Sequence, residues 1–158
     1  MAFIHEQLYH SSNFTSIEFS EYVNNLVTYL LHSHALNPRL IKLNINVDDV
    51  SLDLNTSIPC GLIINELVTN SLKHAFKNGE NGKICISLHS IDDNKYVLIV
   101  QDNGIGFPED FDLKNTESLG LQIVNSLVMQ LDGTMKVVSD NGVRFEIIFN
   151  KIVYKERI

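Results

Sequence analysis

The sequence predicts an α+β fold: a two-layer sandwich in which one mixed, mostly antiparallel sheet carries helices on one face. Three observations lead there. Helical and strand patterns alternate irregularly along the chain. Several successive strands are joined by turn signals too short for a crossover. One strand, Tyr96-Val-Leu-Ile-Val100, is apolar on both faces and so belongs in the middle of a sheet. The chain has 158 residues, 44% of them hydrophobic, enough for one substantial core and too few for two full-sized domains.

The elements follow in order. Met1 to Tyr9 is a short amphipathic piece without a capping residue before it, which reads as the end of a longer helix. The polar break His10-Ser-Ser-Asn13 precedes a helix from about Glu18 to Ser33, whose apolar stripe is Phe19, Tyr22, Val23, Leu26, Val27, Leu30 and Leu31. Asn37-Pro38 ends it. Leu40 to Val47 then alternates with period two, a strand with one wet face, and Leu52 and Leu54 indicate a second short strand. An uninterrupted helical pattern runs from about Ile58 to Phe76. Asn-Gly turn signals lead into strands at Lys83 to Ser90 and Lys95 to Gln101. Pro108 to Glu117 is acidic, aperiodic and loop-like. Ser118 caps a helix running to about Leu131, closed by Asp132-Gly133 as a glycine stop. Thr134 to Ser139 and Val143 to Asn150 form a hairpin about Asp140-Asn-Gly142. The expected organisation is a helical remnant over residues 1–12, a compact domain over 13–150 and a loosely held basic tail over 151–158.

Composition narrows the partners. Twelve basic residues against nineteen acidic give a formal charge of -7, with no basic cluster, so no nucleic-acid partner is expected. Cys60 and Cys85 lack paired spacing and read as small hydrophobes. Without a signal peptide or an apolar run of membrane-spanning length, a cytoplasmic setting and no membrane contact by this segment are expected. His32 and His34 lie two apart at a helix end and point to different sides, and neither His10 nor His89 has a candidate partner.

Three stretches carry chemistry. On the central helix, Cys60, Ile64, Leu67, Val68, Ser71 and Ala75 fall on a core side, while Glu66, Asn70, Lys73 and Lys77 cluster on another. A carboxylate, a carboxamide and an ammonium in successive turns suit a water or hydroxyl, a divalent cation and a phosphate oxygen; the same row alone also fits a solvated polar face. Asp102-Asn-Gly-Ile-Gly106 places a carboxylate at a strand end before two glycines, so that backbone and a flat ligand can approach and an exocyclic amine can donate to the carboxylate; an ordinary turn has the same sequence. Ser118-Leu-Gly-Leu121 opens a helix with a close-approach glycine beside free amide donors, an anion-binding arrangement that a plain capped helix start shares.

In this order the three stretches resemble the Bergerat-fold ATP-binding domain shared by gyrase-type ATPases and sensor histidine kinases. Asn65-Glu-Leu-Val-Thr-Asn-Ser-Leu-Lys-His-Ala-Phe76 resembles its N box, Asp102 to Phe107 its G1 box, and Ser118-Leu-Gly-Leu-Gln-Ile-Val124 its G2 box. Ile4-His-Glu-Gln-Leu-Tyr9, Ile58-Pro-Cys-Gly61 and Lys73-His-Ala-Phe76 resemble the histidine kinases with a HisKA_2-type dimerisation domain. The resemblance implies ATP and Mg²⁺ as cofactors, with Asn70 as magnesium ligand and Glu66 in the place of the polarising base. It places Lys73 and His74 toward the phosphates. It implies that Asp102 binds the adenine amine, that Gly104 and Gly106 form the adenine pocket, and that Leu119, Gly120 and Leu121 lie over the phosphates. The activity implied is transfer of the ATP γ-phosphoryl to a histidine on a dimerisation helix, and then to a receiver-domain partner, within a homodimer. A free-standing serine kinase or anti-sigma factor of the same fold, or a binding module without turnover, is the alternative.

Three departures stand out. Ser118 replaces a frequent glycine. Gly142-Val143 replaces a common Gly-Thr, so a hydroxyl contact from that position is lost. The family's acceptor histidine lies before the Ile4 to Tyr9 segment; His5 belongs to the later motif, so the acceptor is expected on an upstream segment outside this chain.

Overall fold

The computed structural model describes residues 13–14, 16–35, 37–48, 52–76, 81–107 and 119–150. The helical remnant over residues 1–12, the acidic loop, the Ser118 cap, Lys77 and the basic tail lie outside them. A two-stranded ribbon pairs β1 (Asn13–Phe14) with β3 (Leu52–Asp53). The main sheet contains β2 (Ile41–Val47), β4 (Gly82–Asp92), β5 (Lys95–Asp102), β6 (Thr134–Ser139) and β7 (Val143–Asn150) in the order β2-β4-β5-β7-β6. Only β2 and β4 run parallel; the other three pairs are antiparallel, which is the mixed sheet the sequence predicts. The doubly apolar strand β5 takes the central place.

Alternation in the strands builds the two faces. Ile84, Ile86 and Leu88 of β4, Tyr96, Leu98 and Val100 of β5, and Phe145, Ile147 and Phe149 of β7 are buried on one side. Three helices cover that side: α1 (Ser16–His34), α2 (Leu54–Asn70) and α3 (Leu119–Gln130). Every member of the predicted α1 stripe is buried. At roughly 1.5–3 kcal/mol for each large apolar side chain removed from water, that stripe alone holds the helix to the sheet layer. The opposite face is wetter, and there Arg144 bridges Gln101 and Glu146 at 3.4 Å each.

Four details differ from the sequence expectation. The central helix begins at Leu54 rather than Ile58, because Asp53 caps it by accepting from the Thr56 amide at 2.9 Å; Leu54 therefore belongs to the helix, and Pro59 is tolerated inside it at the loss of one backbone bond. The same helix does not continue as an α-helix to Phe76; it widens into a π-helical turn at Ser71–Ala75. At the end of α3 the left-handed residue is Asp132 (φ 56°) and not Gly133. Asp132 N donates to Met129 O at 3.0 Å and Gly133 N to Val128 O at 2.9 Å, which satisfies the last carbonyls in a Schellman arrangement. Finally, His89 does have a partner. Its Nδ1 lies 3.0 Å from Asp48 Oδ2, because the parallel register that sets Val47 opposite Leu88 carries Asp48 alongside.

Candidate functional site

The site forms where the C-terminal end of α2, the end of β5 and the β6–β7 hairpin meet. Asp102, the last residue of β5, is only 5% exposed, and a carboxylate so buried must be compensated. Its Oδ1 accepts from the amides of Gly104 at 3.0 Å and Val143 at 3.2 Å. Its Oδ2 accepts from the Ser71 hydroxyl at 2.7 Å. A carboxylate offers about four acceptor positions, so the three donors found among the described residues leave one position for a ligand. Among the described residues its polar contacts all come from hydrogen-bond donors, which leaves the group suited to receive one more donor and to repel an acceptor.

The glycine loop after Asp102 is held on every side. Asn103 exchanges bonds with Lys83, its Oδ1 accepting at 2.7 Å and its amide donating at 3.2 Å. The Ile105 amide donates to Ala75 O at 3.2 Å, using a carbonyl that the end of the π turn leaves free. The Phe107 amide donates to Ser139 Oγ at 2.9 Å, and the Phe107 ring stands edge-on to Phe145 with centroids 6.2 Å apart. Gly104 packs so closely on the π turn that a Cβ there would come within 2.5 Å of the Ala75 carbonyl oxygen, and Gly106 adopts φ 76°. Both glycines are thus required by the loop's path, and Gly104 also donates its amide to Asp102.

On α2, Glu66 and Asn70 are half-buried one turn apart. A Cβ at Gly120 would lie 3.0 Å from Glu66 Oε2 and 3.7 Å from Asn70 Oδ1, so both side-chain ends converge under the first turn of α3. Asn70 makes no side-chain capping bond to the π turn that follows it. A carboxylate and a carboxamide converging here fit a hydrated magnesium ion carried by phosphates, which takes one or two protein oxygens and fills its shell from ligand and water. Lys73 and His74 are exposed on the π turn. Leu119 is exposed at the start of α3, whereas Leu121 is buried against the core and contributes packing there. Of the predicted site residues, Asp102 and Gly104 share a hydrogen bond, Gly104 packs on the π turn that carries Lys73 and His74, and Glu66 and Asn70 converge on Gly120. Sequence reasoning missed Ser71, Ser139, Asn103 and the Val143 amide. Ser71 had only its core-side position as a signal, Asn103 lies inside the quoted motif but its partner Lys83 is distant in sequence, and Ser139 and the Val143 amide act from a distant segment.

A sheet whose central strand ends in a buried aspartate, covered by a helix carrying a carboxylate and an amide, is a binding site grafted on an α+β sandwich, and its class is given by the family that shares it. The chain belongs to the histidine kinase-, DNA gyrase B- and HSP90-like ATPase family, whose model matches residues 55–152. A histidine kinase family model of the HisKA_2 type matches residues 1–34, and the chain is the ATP-binding catalytic domain of a sensor histidine kinase of that type. That second match runs through α1, which packs in the core described above. Blue-light-activated histidine kinase 2 of Erythrobacter litoralis is 34% identical over 97 residues, covering 61% of this chain and 28% of the relative. Sensor histidine kinase PdtaS of Mycobacterium tuberculosis is 30% identical over 141 residues, covering 85% of this chain and 27% of the relative. The solved histidine kinase domain of the Erythrobacter litoralis EL346 blue-light-activated kinase superposes with a TM-score of 0.74 at 28% identity, covering 83% of this chain and 60% of that one. The chain thus spans between a quarter and a third of the length of these curated relatives.

Proposed function

We propose that this domain binds Mg·ATP in the cleft and delivers the γ-phosphoryl to a histidine on a dimerisation helix, from which a receiver domain takes it. The carrying observation is the Asp102 cradle, a buried carboxylate with three donors in place and one acceptor position left. In this reading the adenine amine takes that position, with Gly104 and Gly106 giving the base room. Asn70 ligates magnesium, and Glu66 beside it holds a water or the attacking group. Bound magnesium would neutralise charge developing on the phosphates. Lys73 and His74 hold the phosphates, and the backbone at Leu119 and Gly120 covers them. The exposed apolar side chains of Ile105 and Leu119 supply surface that a bound nucleotide would cover.

The acceptor nitrogen is assigned to a segment other than residues 1–158. His74, exposed on the π turn beside Lys73, is given the role of holding the phosphates. His32 and His34 are exposed in the last turn of α1. The work is done in the cytoplasm by a homodimer. The HisKA_2 match over residues 1–34 favours this reading over a free-standing serine kinase. Incubation with γ-labelled ATP tests it: this chain alone should gain no acid-labile, alkali-stable label, and an added dimerisation helix with its histidine should gain it. Stoichiometric label of that kind on residues 1–158 would refute the assignment.

A further inference from the structure

We propose that Ser71 is a positioning residue that sets the base selectivity of the site, acting through Asp102. The proposal rests on the reading of Asp102 as the acceptor of the adenine amine. Ser71 opens the π turn, is 8% exposed, and donates its only hydroxyl proton to Asp102 Oδ2 at 2.7 Å. The two carboxylate oxygens are held differently. Oδ1 is fixed by two backbone amides, those of Gly104 and Val143, which no side-chain substitution removes. Among the described residues, Oδ2 has Ser71 as its protein donor, and Oδ2 is the oxygen with capacity to spare. Position 143 cannot supply a second hydroxyl, because Val143 is aliphatic and gives only its amide. In this chain the hydroxyl that orients the carboxylate therefore comes from the helix side of the cleft.

The chemistry of that pair decides which base is accepted. With its proton committed to Oδ2, the Ser71 oxygen is itself an acceptor, so toward the base the pair offers acceptors alone. A 6-amino purine meets it with a donor. At the same C6 position a 6-oxo purine presents an oxygen, leaving buried acceptors facing one another there, and its N1–H donor lies one ring position away, so the base must shift to use it; mismatches of this kind are what binding sites discriminate against most strongly.

The experiment compares ATP with inosine triphosphate by calorimetry on the wild type, Ser71→Ala, Asp102→Ala and the double variant, with thermal midpoints recorded for each. Wild type should prefer ATP. Ser71→Ala should lose roughly five- to twentyfold in ATP affinity, the order expected for a bond to a charged group acting at one remove, and less than twofold for inosine triphosphate. In the Asp102→Ala background the same change should cost nothing further, since its route to the base is gone. Equal loss for both nucleotides, additive loss in the double variant, or no loss at all would overturn the role. Should Ser71→Ala fail to fold, Ser71→Cys keeps the shape with a weak donor and should show a smaller loss confined to ATP; wild-type selectivity in it would also overturn the role. A wild type that binds both nucleotides alike would instead refute the adenine reading of Asp102, and the proposal with it.

Discussion

Replacing Asp102 by asparagine separates what the carboxylate does for the fold from what it does for the ligand. The amide keeps the shape, and the Gly104 and Val143 amides at 3.0 and 3.2 Å require an acceptor, which fixes the asparagine oxygen at the Oδ1 position. Its nitrogen then occupies the Oδ2 position beside Ser71. The hydroxyl can rotate to accept from that nitrogen, so the folded state keeps all three bonds in weaker, uncharged form. The cost to stability should be about 0.5–1.5 kcal/mol, the difference between charge-assisted and neutral bonds. The ligand fares worse, because the adenine amine now meets a donor. Loss of a bond to a charged group is worth about 1.5–3 kcal/mol, or roughly ten- to a hundredfold in Kd. Denaturant unfolding measures the first quantity and ATP titration calorimetry the second. A folded Asp102→Asn protein that binds ATP within twofold of wild type would refute Asp102 as the adenine acceptor.

Other outcomes follow from residues already placed. Asn70→Ala should abolish the gain in nucleotide affinity on adding Mg²⁺ while leaving metal-free ADP binding nearly intact; an undiminished gain would place the cation elsewhere. Burial pushes the Cys60 thiol from 9.0 up to about 12, so the folded state holds its proton where the unfolded state has lost it. Stability should therefore fall with rising pH between about pH 9 and 12, a slope that denaturant melts should find diminished in Cys60→Ala. Asp132→Gly should raise stability by up to about 1 kcal/mol in thermal melts, since the position demands φ 56° and glycine adopts it freely.

Much of this was legible because periodicity is a local signal. The α1 stripe and the core side of α2 followed from which residues recur at 3.6 spacing, and the central place of β5 from an apolar run with no period-two alternation. Boundaries and contacts were less so. The early start of α2 depends on one Asp53 cap, and the π turn depends on bonds that Ser71 and Ala75 make to β5 and its loop, which no helical pattern encodes. Asp132 took the left-handed place because the Schellman bonds set the register, although Gly133 was the residue with the propensity. The pairing of His89 with Asp48 needed the parallel register of β2 and β4. The candidate site was legible as residue types in a known order, while the donors that hold Asp102 were visible only once segments far apart in the chain met.

The order β2-β4-β5-β7-β6 has a consequence for how the protein is made. The central strand β5 emerges from the ribosome flanked on one side by β4, yet its other neighbour is β7, the last strand described, registered from Lys95 opposite Asn150 to Gln101 opposite Arg144. Until residue 150 is out, a nascent chain presents the bare backbone edge of Tyr96-Val-Leu-Ile-Val100, an apolar segment of the kind that pairs with other chains. Closing that edge also brings the Val143 amide to Asp102. In the proposed reading, nucleotide capture thus requires β7 to be in place, and free ATP at a hundred times its Kd would add about 2.7 kcal/mol to a domain that has closed this edge.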